Sequence, residues 1–430
     1  MESKSKLHSH DKKDKSMPLN VEFVRSQYPV FQNPETAQWA FFENAGGSYV
    51  PRQVIDKLSH FFQFTKVQPY GSFPSSIAAG EAMDDGYRCI AELLNVDEDE
   101  LTLGPSTTLN FYVLAQAIRP TLQAGDEIIV TNQDHEANIG CWERLSEFDV
   151  VIKKWRIDPE TGELNLEDLK TLITDRTRLV CFSLCSNIVG TMNDVSAIAN
   201  VAHDAGALAI GDGVSFAPHQ LVDVNQLGID LYLFSTYKTF GTHVGVMWGK
   251  KEILSEIKPQ GHYFNVDQPH YRLNPTGPLH AEIAALAGIG EYYDTLYTHH
   301  FDEPCGNRHQ RAARVFDLFA EHETYLSNRL LKTLQAFSGT RVIGQPHAEV
   351  GKRASTISFV PKNQKSGETV KKLADMKIAA RNGHFYAMRC VEALGVKDPE
   401  EGVVRISLVH YNTEDDVDRL IEGLTLIHGG

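Results

Sequence analysis

The sequence lacks the features of secreted and membrane-spanning proteins. No apolar stretch approaches the roughly 20 residues that a transmembrane helix needs, and the polar N-terminus, MESKSKLHSHDKKDKS, has no apolar signal-peptide core. The six cysteines form no CxxC pair and no disulfide-framework spacing: Cys89, Cys141, Cys181, Cys185, Cys305 and Cys390. We therefore expect a reduced, cytoplasmic protein without a metal site. We interpret Cys181 and Cys185 as core residues, because an apolar strand surrounds them.

Positive charge is also scarce, since the formal net charge is −15 at pH 7. This balance argues against nucleic acid or an anionic membrane as a partner, although a local phosphate site remains compatible with it. The 430 residues are enough for two domains with sizeable cores. We expect a flexible arm over residues 1–20, a large domain over 21–300 and a small α/β domain over 301–430.

The stretch from Ala207 to Trp248 organises the rest of the chain. One short apolar run in it ends in Asp212, and a second one, Leu231 to Phe234, is followed by Ser235 and Lys238. Such runs predict buried parallel strands whose last residues meet at the ligand-binding edge of a sheet. Pyridoxal phosphate requires a lysine for the Schiff base and an acid beside its pyridine nitrogen. A surface lysine and a helix-capping aspartate are the alternative interpretation.

Two motifs in this stretch, DGVSFAPH and FSTYKTFG, resemble the class V aminotransferase superfamily and, within it, the group II cysteine desulfurases. The likeness extends from about Phe42 to about Leu424. It implies an α/β protein of pyridoxal-phosphate fold type I, with a mostly parallel seven-stranded sheet flanked by helices in the large domain. It also implies pyridoxal 5'-phosphate as cofactor, a small amino-acid substrate and a homodimer.

The resemblance assigns cofactor contacts along the chain. Hydroxyl groups at a helix N-terminus suit a phosphate, and His135 matches the ring that stacks on the cofactor and suits proton transfer near neutrality. An ordinary N-cap and a helix-capping histidine are the alternatives. The cofactor candidates are Thr107, Thr108, His135, Asn187, Asp212, Ser215, Ser235, Tyr237, Lys238 and Thr276. Thr242 and Thr276 are expected to reach the phosphate of a partner subunit.

The substrate contacts expected from the resemblance centre on two arginines. Arg405 matches the arginine that binds the substrate carboxylate, which a guanidinium holds with two hydrogen bonds. Arg381 matches a second active-site arginine, while Asn44 and Gly46 match a turn beside the substrate carboxylate. A surface ion pair and a plain tight turn are the alternatives.

Tyr386 departs from the motif of the group II desulfurases, and this difference determines which reaction we expect. Group II desulfurases carry a nucleophilic cysteine at this position, and a phenol cannot replace the thiolate that attacks sulfur. Cys390 could do so only if the loop were rearranged. We therefore predict β-elimination at a sulfur-bearing amino acid, a C–S lyase reaction, with Tyr386 as an acid near the leaving group. The alternatives are transamination, in which Arg381 binds a second carboxylate, epimerase or kynureninase-like activity, and a pyridoxal-phosphate-binding pseudoenzyme.

Overall fold

The computed structural model describes residues 18–275, 277–303, 306–362 and 364–429. These residues form thirteen strands: β1 Ala40–Phe41, β2 Leu101–Gly104, β3 Glu127–Thr131, β4 Val151–Trp155, β5 Thr177–Ser183, β6 Leu208–Asp212, β7 Leu231–Ser235, β8 Gly245–Gly249, β9 Arg341–Val342, β10 Thr356–Val360, β11 Ile378–Ala379, β12 Arg381–Gly383 and β13 Val403–Ser407.

The helices of the first part of the chain are α1 Val21–Ser26, α2 Pro34–Ala37, α3 Arg52–His60, α4 Pro74–Leu94, α5 Thr107–Ile118, α6 Ala137–Glu143, α7 Leu166–Leu172, α8 Val195–Asp204 and α9 Val224–Leu227. They are followed by α10 Lys251–Glu256, α11 Pro269–Arg272, α12 His280–Ala285, α13 Ala287–His300, α14 Arg308–Ala336, α15 Ser366–Asp375, α16 Met388–Ala393 and α17 Glu414–His428.

A seven-stranded sheet forms the centre of the fold, in the order β2-β8-β7-β6-β5-β3-β4. Adjacent strands of this sheet run parallel to each other, except that β8 is antiparallel to both β2 and β7. Alternate side chains of β7 enter different cores: Tyr232 and Phe234 pack on one face of the sheet, and Leu231 and Leu233 on the other. Burial of both faces explains why these strands read as continuous apolar runs. The expected mostly parallel seven-stranded sheet is confirmed.

A second, antiparallel sheet of four strands has the order β12-β13-β10-β9. It packs on α15 and α17 through its own hydrophobic core. Residues from early in the chain join this core, because β1 pairs with β11 and places Ala40 and Phe42 in it.

Helix α14 connects the two cores. Ala312, Val315 and Phe319 near its start pack against the large sheet's core, whereas Leu326 and Leu334 pack in the core of the small sheet. One continuous helix thus contributes apolar side chains to both cores. The division at residue 300 therefore stays a proposal, and most of the expected arm over residues 1–20 lies outside the described residues.

None of the helices in the described ranges is both long enough and apolar enough to cross a membrane. The longest, α14, carries charged residues such as Arg311 and Glu323 along its length. Within the same ranges, the histidine, cysteine, aspartate and glutamate side chains form no group of three or more that could hold a metal ion.

Parallel pairing of β6 with β7 places the polar ends of both strands together. Asp212 is in register with Leu233, and a short 3₁₀ turn, Thr236–Lys238, follows β7 directly. The start of α5 reaches the same edge because it lies against Gly245 of β8. A Cβ atom at Gly245 would overlap the backbone between Ser106 and Thr107, so glycine permits this close approach.

We predict that Gly245→Ala destabilises the protein by about 2 kcal/mol, because the added methyl must displace the backbone at the start of α5. Urea denaturation of the full chain measures this loss. Gly249→Ala on the same strand is the matched control, since its methyl meets mainly side-chain atoms of Leu254 and Leu231. Equal losses in the two variants would contradict the proposed backbone contact.

Candidate active site

A cleft of about 630 Å³ opens at the carboxyl edge of the large sheet. It brings together nine of the residues expected to bind the cofactor: Thr107, Thr108, His135, Asn187, Asp212, Ser215, Ser235, Tyr237 and Lys238. Its lining also includes residues that the sequence did not single out for this site: Ser106, Ala137, Ser183, Cys185, Val214 and His243. His243 and Lys238 both lie in the connection between β7 and β8, and this closeness in sequence could have indicated that His243 is near the site.

Lys238 and Asp212 are the buried charged residues of the cleft, 7% and 4% exposed. Burial, reinforced by the nearby Arg405 charge, lowers the pKa of Lys238 to about 8. Burial raises the pKa of Asp212 to about 6, although its Oδ1 accepts a hydrogen bond from the Val214 N–H at 2.9 Å. At pH 7 the aspartate is thus mainly ionised, and the lysine is more often neutral than an exposed lysine is.

His135 presents a neutral ring to the cleft. Its Nδ1 accepts a hydrogen bond from the Ala137 N–H at 3.1 Å, so the proton of the neutral ring is on Nε2. Burial lowers the pKa of His135 to about 3, with further contributions from Lys238 and Arg405. The ring keeps the flat shape that stacking needs. The expectation that it titrates near neutrality is not supported, because burial removes the charged form at that pH.

The N-terminus of α5 lies at another end of the cleft. Ser106 caps the helix by accepting a hydrogen bond from the Leu109 N–H at 3.2 Å. The Thr107 hydroxyl donates to the Phe234 carbonyl oxygen at 2.7 Å and lies 2.6 Å from the Ser235 hydroxyl. The Thr107 side chain therefore ties α5 to β7, and the exposed Thr108 extends this polar rim.

Asn187, Ser183 and Ser215 contribute the remaining polar lining. Asn187 Nδ2 donates to the Phe385 carbonyl oxygen at 3.0 Å, which connects the cleft to the loop that carries Tyr386. The Ser183 hydroxyl is buried and has no hydrogen-bond partner among the described residues. An unpartnered buried hydroxyl favours a polar ligand. The lysine, the acid, the flat ring and the helix N-terminus together fit the aldehyde, pyridine nitrogen, ring and phosphate of pyridoxal phosphate.

Arg405 is engaged by an internal carboxylate. Its Nη2 lies 3.1 Å from Glu43 Oε1, and the two side chains are 3% and 12% exposed. The guanidinium also donates to the Asn187 carbonyl oxygen at 3.3 Å and covers the Phe385 ring at 3.6 Å. A Cβ at Gly46 would overlap the Glu43 carboxylate, so this glycine makes room for the ion pair. Arg405 as the substrate-carboxylate residue stays a prediction.

The other substrate candidates, Asn44 and Arg381, differ in whether their side chains are already bonded within the protein. Asn44 is buried and bonds to Ser407, Asn412 and Tyr411, so its amide is used within the protein. Arg381 is exposed on β12, directly opposite Arg405.

The role expected for Thr242 and Thr276 across a dimer interface stays a prediction. The Thr242 hydroxyl donates to the Glu282 carbonyl oxygen of the same chain at 2.8 Å, so the threonine has an intrachain role that the sequence did not indicate. Thr276 lies outside the described residues.

Tyr386 lies in a strained turn beside His135, one of the residues that line the cleft. Phe385 and Tyr386 have φ of 50° and 59°, a left-handed conformation that costs non-glycine residues on the order of 1 kcal/mol each. The Glu136 N–H donates to the Tyr386 carbonyl oxygen at 2.7 Å and helps hold this turn. The phenol ring is 72% exposed, with its centroid 5.4 Å from that of His135.

Two thiols lie near the cleft. Cys185, which we interpreted as a core residue, is buried but forms part of the cleft wall, because it follows β5 at the same sheet edge. Burial raises its pKa to about 12. Cys390 packs among Ile188, Val391 and other apolar residues beneath the Tyr386 turn, and burial also raises its pKa to about 12. Neither thiol has the thiolate character of a nucleophilic cysteine.

We predict that Glu43→Gln lowers the free energy of unfolding by about 3 kcal/mol, because it leaves the buried Arg405 guanidinium without its anion. Urea denaturation measures the change. Glu414→Gln is the matched control, because it removes a carboxylate from a surface pair with Arg329 and should cost less than about 1 kcal/mol. A loss for Glu43→Gln no larger than that of the control would contradict the importance of the buried pair.

Comparison with known proteins identifies relatives along nearly the whole chain. Residues 40–420 match the family model described as aminotransferase class-V. The chain is 35% identical over 96% of its length to the aminotransferase-like protein FGM3 of Gibberella zeae, of which it covers 99%. It is 31% identical over 93% of its length to the cysteine desulfurase-like protein ustD of Aspergillus flavus, of which it covers 88%.

Solved structures agree with this grouping. The cysteine desulfurase CsdA of Escherichia coli superposes with a TM-score of 0.79 at 26% identity, covering 95% of this chain and 98% of that one. An apo cysteine desulfurase of Thermococcus onnurineus superposes with a TM-score of 0.83 at 21% identity, covering 96% and 99%, and shows the shared fold. The chain therefore belongs to the class V aminotransferase family and is a pyridoxal 5'-phosphate-dependent enzyme of fold type I.

Proposed function

We propose that this enzyme eliminates the β-substituent of a sulfur-bearing amino acid, a C–S lyase reaction. The observation that carries the proposal is the composition of the cleft. Lys238, Asp212 and His135 line it, and the Tyr386 ring lies beside His135. The family resemblance assigns Tyr386 to the position where group II desulfurases carry their cysteine. The enzyme thus has the groups that activate an amino acid and lacks, among its described residues, a reactive thiol to receive sulfur.

Bound pyridoxal phosphate supplies an electron sink for a carbanion at the substrate's Cα. Lys238 would hold the cofactor through its aldehyde carbon, and its free amine would take the proton from the substrate's Cα. Its pKa of about 8 suits this role, since the best general base has a pKa near the working pH. Asp212 is mainly ionised at pH 7 and would stabilise a proton on the pyridine nitrogen. The neutral His135 ring would lie against the cofactor's ring.

Tyr386 is proposed to donate a proton to the departing sulfur. A phenol carries an O–H donor, and the strained turn that holds Tyr386 is fixed by bonds from Glu136 and Asn187. Arg389 strengthens this anchoring, because its guanidinium pairs with Glu136 at 3.0 Å and with Glu143 at 2.6 Å. A fixed donor suits protonation of a leaving group better than it suits carrying sulfur to another protein.

Transamination is the second candidate, and Arg381 is the observation that favours it. This arginine is exposed beside Arg405, and its side chain has no ion pair or hydrogen bond among the described residues. A free guanidinium there suits the second carboxylate of a dicarboxylic amino acid. One relative, FGM3, also has aminotransferase-like in its name. A homodimer and a cytoplasmic location remain part of the proposal.

The reaction is tested by product analysis of the cofactor-loaded enzyme with cysteine, cystine and other S-substituted cysteines. We expect pyruvate, ammonia and the released sulfur compound in equal amounts, namely sulfide from cysteine, cysteine persulfide from cystine and a thiol from the S-substituted cysteines, and none of them with Lys238→Ala. Tyr386→Phe should slow pyruvate formation by about 100-fold, because it removes the proposed acid and keeps the ring. Amino-group transfer to a keto acid without pyruvate would contradict the lyase proposal and favour the second candidate.

The low pKa of Lys238 predicts how the apo-enzyme captures its cofactor. Only the neutral amine attacks an aldehyde, so the rate constant should rise about tenfold per pH unit below pH 8 and level off above it. Stopped-flow absorbance measures the rate. An amide of N-acetyl-lysine is the control, and its rate should keep rising to about pH 10. A rate for the enzyme that still rises tenfold per unit at pH 9 would contradict the shifted pKa.

A further inference from the structure

His243 lies at the part of the cleft where α5 begins. It lines the cleft together with Ser106, Thr107 and Thr108, and its ring is parallel to the Tyr237 ring, with centroids 4.6 Å apart and an angle of 4°. His243 Nδ1 lies 3.1 Å from the Pro105 carbonyl oxygen. Because a carbonyl only accepts hydrogen bonds, Nδ1 carries a proton, and the ring is held in one plane by two contacts.

The Thr107 and Ser235 hydroxyl groups lie near His243, but their protons are not available to donate hydrogen bonds to a phosphate. Thr107 donates to the Phe234 carbonyl oxygen, so the short contact between Thr107 and Ser235 is made by the Ser235 proton. Both hydroxyl protons are then used inside the protein. A phosphate group at this place would find the free N–H groups of α5 but no hydrogen-bond donor on the Thr107 and Ser235 side chains.

The distribution of positive charge in the cleft also indicates His243 as the partner of a phosphate. Among the described residues that line it, Lys238, His135 and His243 are the side chains able to carry positive charge. Lys238 is required at the aldehyde, and His135 is held neutral by burial and by its bond from Ala137. A phosphate monoester brings a charge of about −1.5 to −2 at pH 7 and forms its strongest hydrogen bonds with charged donors. His243 is exposed, so its ring is accessible to a phosphate that enters the cleft.

We propose that His243 binds the phosphate of the cofactor, as an imidazolium that donates Nδ1–H to Pro105 and Nε2–H to a phosphate oxygen. Stacking on Tyr237 orients the ring for this bond. The two residues act as a unit, in which Tyr237 beside the catalytic lysine supplies the flat support and His243 supplies the charge. This proposal concerns cofactor binding and holds for each of the reactions considered above.

The test compares two aldehydes on the full-length apo-protein, pyridoxal phosphate and pyridoxal, which lacks the phosphate. We expect His243→Gln to raise the dissociation constant of pyridoxal phosphate by about tenfold or more, because a charged hydrogen bond is lost. The dissociation constant of pyridoxal, measured by the same absorbance titration, should change less than about twofold. Inorganic phosphate should also compete less well with pyridoxal phosphate in this variant.

His347→Gln is the matched control, since this histidine is exposed and is not among the residues that line the cleft, and it should leave both constants unchanged. His243→Asn serves as a second variant with the same expectation, and thermal melting of the apo-proteins checks that they fold. Equal weakening of pyridoxal phosphate and pyridoxal would overturn the proposal, because it would place the effect at the aldehyde or in the fold. No change for either aldehyde would also overturn it.

Discussion

Burial of a lysine and an aspartate at one edge of the large sheet is the constraint on which the rest of the site depends. A buried charge is unfavourable unless neighbours compensate it, so both groups are driven towards their neutral forms. With a pKa of about 8, more of Lys238 is in the neutral form that can act as a nucleophile or base, while Asp212 keeps enough acidity to remain mainly ionised at pH 7. Parallel pairing of β6 with β7 brings the two residues together.

The parts of the site that follow from strand ends could be predicted from the sequence. An apolar run that closes on a polar residue indicates a buried strand, and parallel strands collect their last residues at a common edge. Asp212, Asn187 and Lys238 were found in this way or through the family motifs around them. The start of α5 was found because hydroxyl residues follow a short strand, and all of these residues line one cleft.

Other features depend on long-range contacts that no local pattern contains. Glu43 and Arg405 are far apart in the chain, and only the folded structure shows that they form a buried ion pair. The pKa of His135 near 3 has the same kind of origin, because burial and neighbouring charges set it. The sharing of α14 between two cores was also hidden, since a helical period does not show which sheet each turn contacts.

The turn at Tyr386 connects this architecture to the choice of chemistry. Left-handed backbone at two consecutive bulky residues is unfavourable, and it persists because Asn187, Glu136 and the Arg405 guanidinium hold the turn. The same contacts leave Cys390 beneath the turn in an apolar cluster. In the proposed function, the cleft holds the cofactor while Tyr386 presents a phenol where a desulfurase would need a thiolate.

The central claim is that the enzyme activates sulfur-bearing amino acids without carrying their sulfur. Intact-protein mass spectrometry after a single turnover of the cofactor-loaded enzyme with cysteine, in the absence of reductant, tests this claim most directly. The account predicts a protein of unchanged mass. A protein heavier by one sulfur atom, with the added sulfur on Cys185 or Cys390, would contradict it and identify a desulfurase.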